Sequence, residues 1–229
     1  MTQAPGVPGT ILGAATFLEV PAAVLDRQVQ AALSLLRRAY RPLDDHAGGW
    51  YHDLTDAPPG PVATAIALLA FRLAGKTAPF ADASWAFLRQ RQVISDNSAT
   101  HGGWAQNIAG NQPTVEATAA VLELIGRGRF AFAAFAPDTS AGVAFLARQQ
   151  NSDGGWGSCG GNPSRTTLTA RALSVLAMLN PDHPAIDSGT RWLLRHSIPT
   201  GGWGEEAGSD PTVAHTGQPC RRSPRAVRV

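Results

Sequence analysis

Apolar residues along this chain recur at spacings of three and four, and strict alternation of apolar and polar positions is absent. That is the period of helices with a buried face, so the pattern predicts an all-α protein with no sheet. Two kinds of stretch take turns. One is mixed, pairing Leu35-Leu36 with Arg37 and Arg38, Phe87-Leu88 with Arg89 and Arg91, Phe145-Leu146 with Arg148, and Trp192-Leu193 with Arg191 and Arg195. The other is rich in Ala and Leu nearly all round: Thr64 to Phe71, Thr118 to Leu124 and Thr169 to Leu176. A helix apolar on every side is buried among other helices, and one with a charged face lies outside. The chain therefore reads as antiparallel pairs, an outer helix followed by an inner one.

The same tripeptide stands between the members of each pair: Gly48-Gly49-Trp50, Gly102-Gly103-Trp104, Gly154-Gly155-Trp156 and Gly201-Gly202-Trp203. The tryptophans are 54, 52 and 47 residues apart. A fixed period of this length marks a repeat architecture, in which each unit buries its apolar face against its neighbours. The glycines permit a tight turn with positive φ, and an indole can pack across a helix end with its N–H on a carbonyl. Gln150 is placed to cap backbone groups left open at a helix end. About three and a half units give seven or eight helices, an open arc of paired helices.

The third copy, with Gly142, Phe145, Leu146, Gln150, Gly154 and Trp156 in register, resembles the QW motif of terpenoid cyclases. The Thr-Ala helix after it is similar to the repeat of squalene cyclases and protein prenyltransferase β subunits. The resemblance covers roughly residues 28–217 and implies an α/α toroid, here a partial ring. It further implies an isoprenoid partner, a prenyl or polyprenyl substrate bound on the concave face where inner helices begin.

The same resemblance supplies the site candidates. Cyclases of this type hold their catalytic acid in an Asp-rich motif two residues before a Thr-Ala pair. Glu116 stands at that position before Thr118-Ala119, with Thr114 and Ala117 where further acids would be. Glu116 is thus the candidate general acid, expected to be buried on the concave side with aromatic side chains beside it to stabilise a cation. Thr118 is a candidate substrate-binding residue, and so is His215, which stands before Thr216 where prenyltransferases place a zinc-ligating His. The metal sets are incomplete. Arg165-Thr166-Thr167-Leu168 lacks the Asp-x-Cys of a zinc site, and Asp44-Asp45 lacks the third Asp of a magnesium-diphosphate site. No metal or other cofactor is expected, zinc and magnesium being the ones the family would bring. The alternative to an enzyme is a binding or structural arc without chemistry of its own.

Composition narrows the setting. With 44% hydrophobic residues and a net charge of +2, the chain is globular and offers no basic field for nucleic acid. Cys159 and Cys220 form neither a disulfide framework nor a zinc pair. Met1 to Val20 lacks the basic start of a secretory signal, and no stretch reaches a membrane span. A cytoplasmic protein is expected, though the apolar rim of a lipid-handling toroid could touch a membrane surface.

The C-terminus breaks the pattern. Asp210 to Thr216 opens a fourth inner helix in the register of Gln112 to Thr118, but Pro219 then falls where Val121 and Ala172 stand. Proline inside a helix costs about 3 kcal/mol or more. Lys and Arg together number 19, and Lys76 is the one lysine, a sign of GC-rich coding DNA. An out-of-frame reading of such DNA yields Arg, Pro and Ala. The division expected is an N-terminal segment (1–27), repeats (28–217) and an irregular basic tail (218–229), with the repeats truncated by a frameshift. The truncated edge would expose Leu168, Ala172, Leu173 and Leu176 and drive self-association.

Overall fold

A computed structural model describes residues 21–53, 57–107, 112–128, 137–199, 201–206 and 208–222, the last five by backbone alone. The elements run α1 (Ala22–Ala39), β1 (Arg41–Pro42), β2 (Gly48–Gly49), α2 (Pro61–Leu73), α3 (Ala81–Gln90), α4 (Val115–Arg127), α5 (Thr139–Arg148), α6 (Thr166–Leu179), α7 (Ala185–Arg195) and α8 (Val213–Arg222). The inner helices pack in chain order, α2 on α4, α4 on α6 and α6 on α8, and α2, α4 and α6 each also pack on the outer helix that follows. This is the α/α arrangement expected. One short antiparallel pair, β1 with β2 in the register Arg41 to Gly49 and Pro42 to Gly48, departs from the expectation of no sheet. It is two residues per strand, too short to leave an alternation.

Four tryptophans fasten the outer layer to the inner one by a single repeated device. Each indole N–H donates to a carbonyl at the end of its own outer helix: Trp50 to Leu36, Trp104 to Leu88 and Trp156 to Leu146 at 2.7 Å, and Trp203 to Leu193 at 2.8 Å. Each Trp backbone N–H donates to a threonine hydroxyl of the next inner helix, Thr64, Thr118, Thr169 or Thr216, at 3.0–3.1 Å. Each Trp carbonyl then accepts the N–H of the residue that precedes that helix, Gly60, Thr114, Arg165 or Thr212. Buried polar groups must be paired, and here the loop and the helix start satisfy each other.

The first glycine of three loops carries positive φ, +89° at Gly102, +94° at Gly154 and +93° at Gly201, a region closed to most side chains. Gln92 and Gln150 tie loops two and three to the following outer helix. Gln92 Nε2 donates to Gly102 O and Asp138 O, and Gln150 Nε2 to Gly154 O and Ala185 O. In the first unit Tyr40 takes that place, stacked on Phe80 at 4.0 Å and edge-on to Trp50 at 5.2 Å. Burial and the nearby Asp44 carboxylate push its phenol upward.

The C-terminal expectation is overturned. Residues 213–222 form helix α8, so the irregular tail does not begin at 218, and residues 223–229 lie outside the described set. Thr216 anchors α8 to Trp203, and Thr212 Oγ1 accepts the N–H of His215 as a cap. Pro219 removes one backbone donor, and the anchored first turn and the packing on α6 outweigh that loss. Ala172, Leu173 and Leu176 are accordingly buried and Leu168 half-buried, so the exposed edge predicted on α6 is absent. At the other end, α1 begins at Ala22, inside the segment assigned to 1–27; residues 1–20 lie outside the described set.

Candidate functional site

Two inner helices and one loop enclose a cleft of about 430 Å³. Glu116 lines it from the first turn of α4. Ser158, Asn162 and Pro163 come from the loop after Trp156, and Arg165, Thr167, Leu168 and Arg171 from the start of α6. The cleft therefore sits at inner-helix N-termini, where the family resemblance places a substrate. Of the residues lining it, only Pro163 and Leu168 are apolar. Arg171 Nη1 approaches Glu116 Oε1 at 3.9 Å, and Gln106 Nε2 donates to Glu116 Oε2 at 2.7 Å. Arg165 is held by Glu205 at 2.9 Å and Glu206 at 3.6 Å.

Glu116 is thus at the cleft, but not buried as expected: its side chain is 42% exposed and faces a guanidinium. Thr118 does not reach the cleft at all. It is fully buried, and its hydroxyl accepts the Trp104 N–H, a structural role. The repeat itself requires this, because Thr64, Thr169 and Thr216 do the same. His215 is half-buried in the first turn of α8, its Nδ1 2.7 Å from the Thr212 hydroxyl, and it does not line the cleft with Glu116. Among the described residues no three His, Cys, Asp or Glu side chains converge.

An aromatic wall is expected beside Glu116, and none of the described residues lining the cleft is aromatic. The helical period puts Val62, Ile66, Leu69 and Leu73 on the side of α2 opposite its Thr–Trp contact. The same stripe on α4 is Glu116, Ala120, Glu123 and Arg127, and on α6 it is Thr167, Arg171, Ser174 and Met178. No position on it is aromatic. On α4 it is ionic: Glu123, 7% exposed, pairs with Arg127 at 3.0 Å, and Arg72 from α2 donates to Arg127 O at 2.6 Å.

Sequence reasoning passes over Arg171 and Asp153. In the sequence Arg171 reads only as an interruption of an apolar run, yet it is the cleft's link between α4 and α6. Asp153 holds the third loop to α7, its Oδ1 accepting from Gly155 N and Ser164 Oγ and its Oδ2 from the Trp192 indole. Burial works to raise its carboxyl. The donors from Gly155, Trp192 and Ser164, with the charge of His196, outweigh that and hold it below the usual range.

Repeated outer–inner pairs, a tryptophan clasp at every turn and a cleft at the inner-helix N-termini define an α/α-repeat arc of the toroid class. The sequence model of the squalene-hopene cyclase C-terminal domain matches residues 104–224, more than half of the chain. The chain belongs to this terpenoid cyclase family. The match runs through Pro219 to residue 224.

Among relatives, the squalene–hopene cyclase of Zymomonas mobilis is 26% identical over 87% of this chain and 35% of its own length. A probable squalene–hopene cyclase of Sinorhizobium fredii is 27% identical over 70% of this chain and 28% of its own. The chain thus spans about a third of the length of these relatives. Two solved structures share the fold. A protein from Actinoplanes has a TM-score of 0.64 at 21% identity, covering 91% of this chain and 63% of its own. Candida albicans protein geranylgeranyltransferase-I, complexed with GGPP, has 0.58 at 14%, covering 85% and 76%. No described helix is long and apolar enough to cross a membrane.

Proposed function

We propose that this chain is an isoprenoid cyclase-like repeat protein that receives a prenyl or polyprenyl chain at the inner-helix N-termini, with Glu116 the acid presented there. The observation that carries this is the cleft between α4 and α6 in a chain of the squalene-hopene cyclase family, with a carboxyl in the first turn of α4. The GGPP with which the geranylgeranyltransferase neighbour is complexed supports an isoprenoid as the ligand class. Proton transfer to an alkene needs a desolvated, protonated acid, so substrate entry would have to separate Glu116 from Arg171 and exclude water. A second reading, binding without chemistry, is favoured by the Glu116–Arg171 pair and the absence of aromatics on that stripe.

Incubation with squalene and with geranylgeranyl diphosphate, read by mass spectrometry of the extracted lipid, separates the two. Under the cyclase reading a cyclised product forms and Glu116→Gln abolishes it with the helical content unchanged. Saturable binding with no product supports the module without chemistry. Product that survives Glu116→Gln removes Glu116 from the acid role, and no binding of either lipid ends the isoprenoid reading.

A further inference from the structure

The charged side chains that line the cleft between α4 and α6 are Arg165, Arg171 and Glu116, two cations and one anion among the described residues. Ser158, Asn162 and Thr167 add side chains that can donate hydrogen bonds. A carbocation placed here would meet two guanidinium groups and no π face. A phosphate would meet its match, because a planar guanidinium presents paired N–H donors to two oxygens at once. The start of α6 adds to this field. Before α4 and α8 a threonine hydroxyl accepts a first-turn N–H, Thr114 that of Ala117 and Thr212 that of His215. Arg165 stands in that place before α6 and gives no side-chain cap, and Thr167 and Leu168 of that first turn line the cleft.

Glu116 holds part of this field for now. Its Oε1 stands 3.9 Å from Arg171 Nη1, beyond the roughly 2.7–2.9 Å of a charge-assisted hydrogen bond, while its Oε2 accepts from Gln106 at 2.7 Å. The carboxylate is thus anchored on the Gln106 side and loosely set on the arginine side. Arg165 is held by Glu205 and Glu206, all three about half exposed, and exposed pairs of that kind stabilise little. An incoming anion can take both guanidinium groups while Glu116 keeps its bond to Gln106.

We propose that this cleft is a phosphate site: a mono- or diphosphate binds Arg165 and Arg171, and Glu116 is the carboxylate it displaces from Arg171. Where the anion is the head of a prenyl diphosphate, its arrival seats the lipid and gives the separation of Glu116 from Arg171 that proton transfer needs. That use rests on the isoprenoid reading above; the anion site does not. Every residue it uses is internal to the α4–α6 pair and its loops.

Titration calorimetry of the full chain at low salt tests it with inorganic diphosphate, geranylgeranyl diphosphate and geranylgeraniol. Both diphosphates are expected to bind, and the prenyl one more tightly than the alcohol. Arg165→Gln and Arg171→Gln should each weaken diphosphate binding about tenfold or more, the loss of a charge-assisted hydrogen bond. Gln is a good helix former, and circular dichroism checks that the helical signal is kept. Glu116→Gln should tighten diphosphate binding about fivefold, since it removes a like charge beside the site and keeps the shape. A merely structural role for these residues does not produce opposite signs. Inorganic diphosphate bound as tightly as the prenyl one supports the site with a free phosphate as ligand, and removes only the isoprenoid use. Geranylgeraniol bound as tightly as its diphosphate, with inorganic diphosphate unbound, overturns the site and leaves the isoprenoid reading standing. Diphosphate binding that neither arginine substitution changes, or that Glu116→Gln weakens, also overturns it.

Discussion

Threonine is the side chain that makes the Gly-Gly-Trp turn work. Thr169 is fully buried, and its Oγ1 is the partner of the Trp156 N–H. Thr169→Val keeps the shape and removes the acceptor, leaving a buried donor open at a cost of about 1–3 kcal/mol. Urea unfolding should show that loss as a lower midpoint, and an unchanged midpoint would deny the clasp its energetic role. Asp153 gives a pH-dependent counterpart. Its folded carboxyl titrates below that of the unfolded chain, so the unfolded state takes up protons first as pH falls. The stabilisation is whole above the usual Asp range of about 4 and is lost as pH drops through the lower folded value. Asp153→Asn should therefore be less stable than wild type near neutrality, with the gap closing in acid. The residue is exposed, so solvent screening keeps the gap to about 1 kcal/mol or less. A gap that widens in acid contradicts the assignment.

Helix α8 shows how an element forms against a local penalty. Its first turn is fixed by Thr212 and Thr216, and the backbone then continues through Pro219, which has no N–H to give to the carbonyl of His215. Pro219→Ala restores that donor and should raise the thermal midpoint. The gain is on the order of 1 kcal/mol rather than the full interior penalty, because a terminal helix frays. A midpoint that falls instead would show that the proline is needed where it stands. Outer helices α5 and α7 depend on tertiary contact in the same way, since Phe145 packs on the Gly103 loop and Trp192 on the Gly155 loop.

At the scale of the whole arc, stability is a sum of units and the interfaces between them. Gly155 lies at the interface of the third and fourth units, where a Cβ would meet Ser164 Cβ at 2.5 Å and Trp192 Cε2 at 2.8 Å. Gly155→Ala must push the units apart, at a cost of about 1–3 kcal/mol. Native-state hydrogen exchange should quicken in α6, α7 and α8 while α2 and α3 keep their protection. Uniform quickening along the chain would mean that the arc unfolds as one block.

The number of units, the order of outer and inner helices and the place of each turn were legible in the sequence. Each rests on short-range chemistry: the helical period, glycine's access to positive φ, and an indole within reach of its own helix end. The site was legible only by position. Glu116 belongs to the first turn of an inner helix by register alone, but its exposure and its pairing depend on Arg171, 55 residues away, and on Gln106. Thr118 looks like a site residue because the repeat that makes it structural also puts it beside Glu116. Pro219 looks like a terminator because local propensity counts against it, and packing on α6 is not visible in the local sequence. What the sequence by itself determined was the set of elements that satisfy their own backbone groups. Burial, ion pairing and the fate of α8 were decided by tertiary structure, since each depends on which residues distant in the chain are brought into contact.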